Sequence, residues 1–152
     1  MELSRDIDVR RAHSRDSSGL ELIPDEVARA SSAAEAVAII RESIARKSPV
    51  TAAGSQTSMT GASITDRGLL LSLAPMNRIL DIDAAGRIAR VEPGVRIGDL
   101  NRALSGHGLQ FAPDPTSEND ATIGGAIACN ASGGRSLHYG ATRAHVAGLQ
   151  VV

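Results

Sequence analysis

The chain has 152 residues, a net charge of −1, one cysteine and only two aromatic side chains, Phe111 and Tyr139. That length suits one domain or two small lobes. The composition excludes an internal disulfide, a cysteine-rich zinc site, a base-stacking platform and a basic nucleic-acid stripe.

The polar start, residues 1–20, reads as a weakly ordered arm and not as a secretory signal. The remainder, 21–152, reads as the folded part. Ser32-Ala-Ala-Glu35 fits a capping box, in which Ser32 accepts from the Glu35 N–H and the Glu35 side chain reaches back to the cap. Val37, Ile40 and Ile44, with Ala33 and Ala36 nearby, mark the apolar face of the helix that follows. Arg46 and Lys47 suit its C-terminus and Pro49 ends it. "PVTAA" predicts a short strand and "LLLSL" (69–73) a buried one. "RILDID" (78–83) and "IARVEPG" (88–94) predict two strands joined at Ala84-Ala-Gly86, with Leu80 and Ile82 on one face and Ile79 out of pattern on the other. A second helix is expected over Ile97–Leu104 on Ile97, Leu100 and Leu104, stopped near Gly106. Residues 112–140 read as a long irregular segment, and "VAGLQVV" as a terminal strand. Cys129 reads as a small buried thiol. The order is mixed α+β, without the regular βαβ alternation of a doubly wound sheet. No run is long enough to cross a bilayer, so a cytoplasmic location is the expectation.

Two stretches carry chemistry. "AAGSQTSMTG" (52–61) follows a strand and combines Gly54 and Gly61 with Ser55, Gln56, Thr57, Ser58 and Thr60. Glycine lets the backbone turn successive N–H groups toward one point, and such a nest binds oxyanions without a cation. The loop is neither a G-K-[ST] phosphate loop nor a G-x-G-x-x-G fingerprint. A solvated surface loop is the competing reading. The second stretch runs from Pro113 through Thr122-Ile-Gly-Gly125, expected again to offer backbone amides where side chains would block close approach, to Asn130, Ser132, Gly133, Gly134 and Gly140. Its length without regular structure is uncommon inside a compact domain. His138 has no metal-ligand neighbour at a useful spacing and reads as structural or solvent-facing. Arg135 and Arg143 rank low as phosphate contacts, and Asp114, Glu118 and Asp120 read as turn-capping or solvated groups.

The series "AGSQTSMTGA", "VEPGVRIGDLNRAL", "FAPDPTSENDATIGGAIACNASGGRSLHYGATR" and "VAGLQVV" resembles the FAD-linked oxidase family, with its vanillyl-alcohol-oxidase (PCMH-type) FAD-binding fold. The likeness is greatest to D-lactate dehydrogenase and glycolate oxidase subunits, and it runs from about residue 30 onward. The resemblance implies two α+β lobes, the second incomplete, with FAD extended between them. It implies that Gly54, Ser55, Gln56, Thr57, Ser58, Thr60 and Gly61 hold the pyrophosphate. Pro115, Thr116, Thr122, Ile123, Gly124, Gly125, Asn130, Ser132, Gly133, Tyr139 and Gly140 would hold its other side, the ribityl chain and part of the ring. Ala53, Ser55 and Gln56 depart from the Arg- and Gly-rich start usual in that loop. No His lies between 14 and 106, so FAD attached through a loop His is excluded and noncovalent FAD is expected. The implied activity is flavin-dependent oxidation of a 2-hydroxy acid such as D-lactate or glycolate. The rest of the flavin domain, the substrate domain and the catalytic residues are expected outside these residues, and the chain alone is expected to be inactive. The substrate would be a small molecule; an oligomer or partner subunit stays open, and no nucleic acid, metal or membrane span is expected. A noncatalytic nucleotide-binding module and an inactive fragment remain as alternatives.

Overall fold

The computed structural model describes residues 2–152, and Met1 of the expected arm lies outside them. The chain divides into two compact units, one formed by residues up to Met76 and one by Asn77–Val151.

The first unit is a four-stranded sheet with a helix on each face. Its elements are β1 (Glu2–Ser4), α1 (Ile7–Ala12), β2 (Glu26–Arg29), α2 (Ala33–Ala45), β3 (Val50–Ala53) and β4 (Leu69–Ser72). The strand order is β1-β2-β4-β3. β1 is antiparallel to β2, whereas β4 runs parallel to both β2 and β3, so Val27 and Thr51 both pair with Leu70. β4 is central and every one of its residues is buried, as expected of a parallel strand covered on both faces. Ala28, Leu69 and Leu71 meet Ala36 and Ile39 of α2 on one face. Val27, Ala53 and Leu70 form the other face, against Val9 of α1.

Much of the expected weakly ordered arm is therefore β1 and α1. Asp6 caps α1 by accepting from the Asp8 and Val9 N–H groups, and β1 satisfies its backbone on β2. A three-residue edge strand and a two-turn helix with no buried residue leave little periodic signal. Glu26 ties these pieces together. Its carboxylate takes Arg5 Nη2 at 2.8 Å and Arg46 Nη1 at 3.0 Å. Burial alone would raise the Glu26 carboxyl, but the hydrogen bonds from Arg5 and Arg46 outweigh it and hold the group below its ordinary range.

α2 starts where the capping box places it: Ser32 Oγ accepts from the Glu35 N–H at 3.2 Å. The return arm reaches one residue further, since Glu35 Oε2 accepts from the Ser31 N–H and hydroxyl, both at 2.8 Å. The buried face is Ala36, Ile39 and Ser43, while Ile44 is 68% exposed. The expected Val37/Ile40/Ile44 face is thus rotated. The sheet takes its contacts from the side where small Ala36 and Ser43 flank Ile39.

The second unit begins with the hairpin β5 (Ile79–Asp83) and β6 (Ile88–Val91). A bulge between Ile79 and Asp81 leaves Leu80 as the extra residue. It explains the out-of-pattern residue: Ile79 and Ile82 pack on the core, and Leu80 is 51% exposed. Arg78 and Glu92 close the open end, with Glu92 taking the Arg78 backbone N–H at 2.8 Å and its guanidinium at 2.7 Å. α3 (Ile97–Ser105) buries Ile97, Leu100 and Leu104 and is capped by Gly106. The segment expected to be irregular holds α4 (Ile123–Ala128), α5 (Ser136–Tyr139) and a 3₁₀ turn at Thr142–His145. The "VAGLQVV" segment forms no strand, and Leu149 and Val151 are 60% and 81% exposed. Among the described residues no strand pairs with it.

Candidate functional site

The first glycine loop leaves β3 at Ala53. Two of its polar side chains are spent on shaping it. Gln56 stands in left-handed conformation, with φ +55°, a state that costs a side chain-bearing residue about 1–2 kcal/mol. It is held there by its side-chain amide, which donates to the carbonyls of His13 at 2.9 Å and Arg15 at 3.1 Å. Ser58 Oγ accepts from the Thr60 and Ala62 N–H groups at 3.2 and 3.3 Å and pairs with the Thr60 hydroxyl. Part of the main chain between them is left open. Among the described residues, the N–H groups of Gln56, Thr57, Ser58 and Met59 have no acceptor. Gln56, Thr57 and Ser58 are only half-exposed. These four successive N–H groups, and not the Gln56 side-chain amide, are the donors that this stretch leaves unpaired.

The second segment is built differently. Thr122 caps α4, its Oγ1 accepting from the Gly125 N–H at 3.3 Å. The Ile123 N–H donates to Val95 O and the Gly124 N–H to Pro93 O, both at 2.8 Å. All three amides from Ile123 to Gly125 are therefore engaged inside the protein, contrary to the ligand-facing amides expected, because α4 packs its first turn on the Pro93–Val95 backbone. Gly124 is needed for packing, because a Cβ there would lie 2.7 Å from Pro93 Cβ and 2.9 Å from its carbonyl. Gly133 packs its backbone onto Pro113 and Asp114, where a Cβ would collide with both carbonyls. Arg135 supports the same turn by pairing with Asp114 at 3.1 Å.

Asn130, in left-handed conformation at φ +46°, accepts the Arg143 N–H on its side-chain oxygen at 2.9 Å. Thr142 is buried and donates its hydroxyl to Ala131 O at 2.7 Å. Pro115 is buried, whereas Thr116, Ser132 and Tyr139 are exposed. Gly140 combines φ +84° with ψ 178°, a region nearly restricted to glycine. In this unit the N–H groups of Thr116 and Ser132 keep no acceptor among the described residues. His138 stacks edge-on against Tyr139 at 4.5 Å, and His145 Nε2 donates to Tyr139 O at 2.9 Å. Cys129 is exposed, contrary to the buried thiol expected, because it caps the outer end of α4.

An open cleft of about 270 Å³ lies beside α3, lined in part by Asn101, Phe111, Asp114, Glu118 and Arg135. None of the predicted cofactor-binding residues lines it. Asn101 shapes its wall, accepting the Phe111 N–H at 2.8 Å and donating to Glu118 at 3.2 Å. Asn101 and Thr142 stand inside the "VEPGVRIGDLNRAL" and "YGATR" stretches, where residue type alone does not single them out. Among the described residues, no three His, Cys, Asp or Glu side chains cluster as a metal site, and no helix is long and apolar enough to cross a membrane.

Residues 24–152 match the family model described as "FAD binding domain". The chain belongs to this family. D-lactate dehydrogenase of Anaerostipes hadrus is 35% identical over 130 residues, which are 85% of this chain and 27% of that protein. The glycolate oxidase subunit GlcD of Bacillus subtilis is 45% identical over 105 residues, 68% of this chain and 22% of that protein. The chain thus spans under a third of these relatives. Among solved structures, an alkyldihydroxyacetonephosphate synthase superposes with a TM-score of 0.79 at 20% identity, covering 93% of this chain and 28% of the other. The 6-hydroxy-D-nicotine oxidase of Arthrobacter nicotinovorans does so with a TM-score of 0.76 at 26% identity, covering 94% of this chain and 31% of the other. The fold is the mixed α+β fold of the PCMH-type FAD-binding domain, of which the family's cofactor is FAD.

Proposed function

We propose that this chain is the FAD-holding portion of a flavin-dependent oxidoreductase acting on a 2-hydroxy acid such as D-lactate or glycolate. The observation that carries the reading is the row of unpaired N–H groups from Gln56 to Met59 in a loop of an FAD-family domain. Pyrophosphate is anionic and rich in acceptors, so it fits a nest of neutral donors.

In this reading Gly54, Ser55, Gln56, Thr57, Ser58, Thr60 and Gly61 hold the pyrophosphate, with the backbone as principal donor. Thr116 and Ser132 offer free N–H groups. Pro115, Thr122, Ile123, Gly124, Gly125, Asn130, Gly133 and Gly140 give shape and contact surface, and Tyr139 packs on or hydrogen-bonds the cofactor. When bound, FAD supplies the hydride acceptor; the protein supplies position and electrostatics. Binding is noncovalent, since no His stands near the loop in sequence. The 2-hydroxy-acid substrate rests on the named activities of the relatives. A partner subunit belongs to the same proposal, because the GlcD relative is named as a subunit. So does a cytoplasmic location.

The test is titration of the purified chain with FAD, followed by flavin fluorescence. Saturable binding, reversed by gel filtration in denaturant, is the expected outcome. Bleaching of the bound flavin by D-lactate or glycolate without air would extend it to the activity. Absence of any saturable FAD binding would overturn the reading.

A further inference from the structure

Residues 14–22 form a closed loop of their own. The Leu22 N–H donates to Ser14 O at 2.8 Å, and Arg15 bridges to Glu21 at 2.6 Å. Ser14 is fully buried at its base, and Gly19 turns the tip with φ +82°. This loop lies on the first glycine loop. Leu20 Cδ1 stands 3.2 Å from where a Gly61 Cβ would be, and Ser63 Oγ donates to Asp16 Oδ2 at 3.0 Å. The other oxygen of Asp16 accepts the Ser18 N–H at 3.0 Å and the Ser18 hydroxyl. Gln56 completes the tie through the carbonyls of His13 and Arg15.

From these contacts we infer that Asp16 is the positioning residue of the anion-binding loop, and that residues 13–20 act as a buttress setting its conformation before ligand arrives. The inference rests on the reading of that loop as the FAD cradle. The loop's internal bonds include those to Ser58 Oγ, a long 3.4 Å bond from the Ile64 N–H to Gly61 O and a 3.5 Å contact from Gln56 Nε2 to Ser63 O, whereas the shorter bonds of Gln56 and Ser63 run outward to residues 13–16. Its left-handed Gln56 relaxes once the two carbonyls withdraw. Asp16 is no ligand for the pyrophosphate, because a carboxylate repels it. The carboxylate faces Ser18 and Ser63 and its three donors come from two chain segments, so it couples them. A preorganised nest spends less of its binding energy on ordering than a mobile one.

The experiment uses the full chain in three forms: wild type, Asp16→Ala and Asp16→Asn. Two quantities are read, FAD affinity and the ¹⁵N order parameters of residues 55–60 without ligand. Wild type is expected near the rigid value of about 0.85, and Asp16→Ala below about 0.6. FAD binding by Asp16→Ala should weaken about tenfold. Asp16→Asn keeps one acceptor and should recover part of both effects, which a general loss of folding would not. Unchanged order parameters in Asp16→Ala overturn the inference, as does a mobile loop with unchanged FAD affinity. If the loop loosens but no form binds FAD, the cofactor reading falls and the buttress stands. Ser63→Ala gives the same readouts should Asp16→Ala fail to fold.

Discussion

Replacing Gly124 by alanine tests whether the double glycine of α4 serves packing or cofactor approach. The new Cβ would stand 2.7 Å from Pro93 Cβ, 2.9 Å from Pro93 O and 3.1 Å from Pro93 Cα. Ordinary contact needs at least about 3.5 Å, so α4 and the Pro93 turn must separate by more than half an ångström. Overpacking of that kind costs about 1–3 kcal/mol. The bonds from Gly124 N–H to Pro93 O and from Ile123 N–H to Val95 O, each 2.8 Å, lengthen together, at about 0.5–1.5 kcal/mol each. Alanine returns about 1 kcal/mol of helix propensity. The net loss is about 1–5 kcal/mol, a fall in Tm of roughly 2–20 °C at this chain length. Gly125→Ala is the control. Its Cβ meets only Thr122 Oγ1 at 3.1 Å, a side-chain atom free to rotate, so the disturbed cap of about 1 kcal/mol and the propensity gain nearly cancel. Thermal unfolding followed by circular dichroism, without ligand, should separate the two variants. Equal midpoints would refute the packing argument and return both glycines to a ligand-facing role.

Two further outcomes follow from the packing and the charges. Ile39→Ala should destabilise the first unit by about 2–5 kcal/mol, since Ile39 is 2% exposed. Ile44→Ala should stay within about 0.5 kcal/mol, and the reverse order in urea unfolding would restore the helix face expected from sequence. The Arg78 guanidinium holds the Glu92 carboxyl below its ordinary range, against the opposing effect of burial. A carboxyl depressed in the folded state adds stability that is complete above the unfolded value, about 4.3. That stability is lost as pH falls from there through the lower folded value. Glu92→Gln should therefore flatten the acid side of the stability profile over that window, and an unchanged acid limb in urea titrations from pH 5 to about 2 would contradict it.

The elements that the sequence made legible are those whose signal is local. Ser32 and Glu35 start α2 through contacts within one turn, and the turn at Ala84–Gly86 and the buried run Leu69–Leu71 are equally self-contained. Ile97, Leu100 and Leu104 mark α3 because period and packing agree. The ordered motifs from Gly54 to Gly140 carry the family. The structure decided what depends on partners distant in the chain. β1 exists because β2 lies beside it, and the inward turn of Ile79 depends on a bulge against β6. α2 turned Ile39 rather than Ile44 to the sheet, since the sheet chooses which face is covered. The site divides in the same way. Sequence composition left the first loop between an anion-binding nest and a solvated surface loop, because glycines and hydroxyls are countable but their partners are not. Which donors stay unpaired is a property of where every other acceptor lies. It is the tertiary structure that commits the Gln56 amide to His13 and Arg15, closes the amides of Ile123 to Gly125 on Pro93, Val95 and Thr122, and leaves the N–H groups of Gln56 to Met59 open.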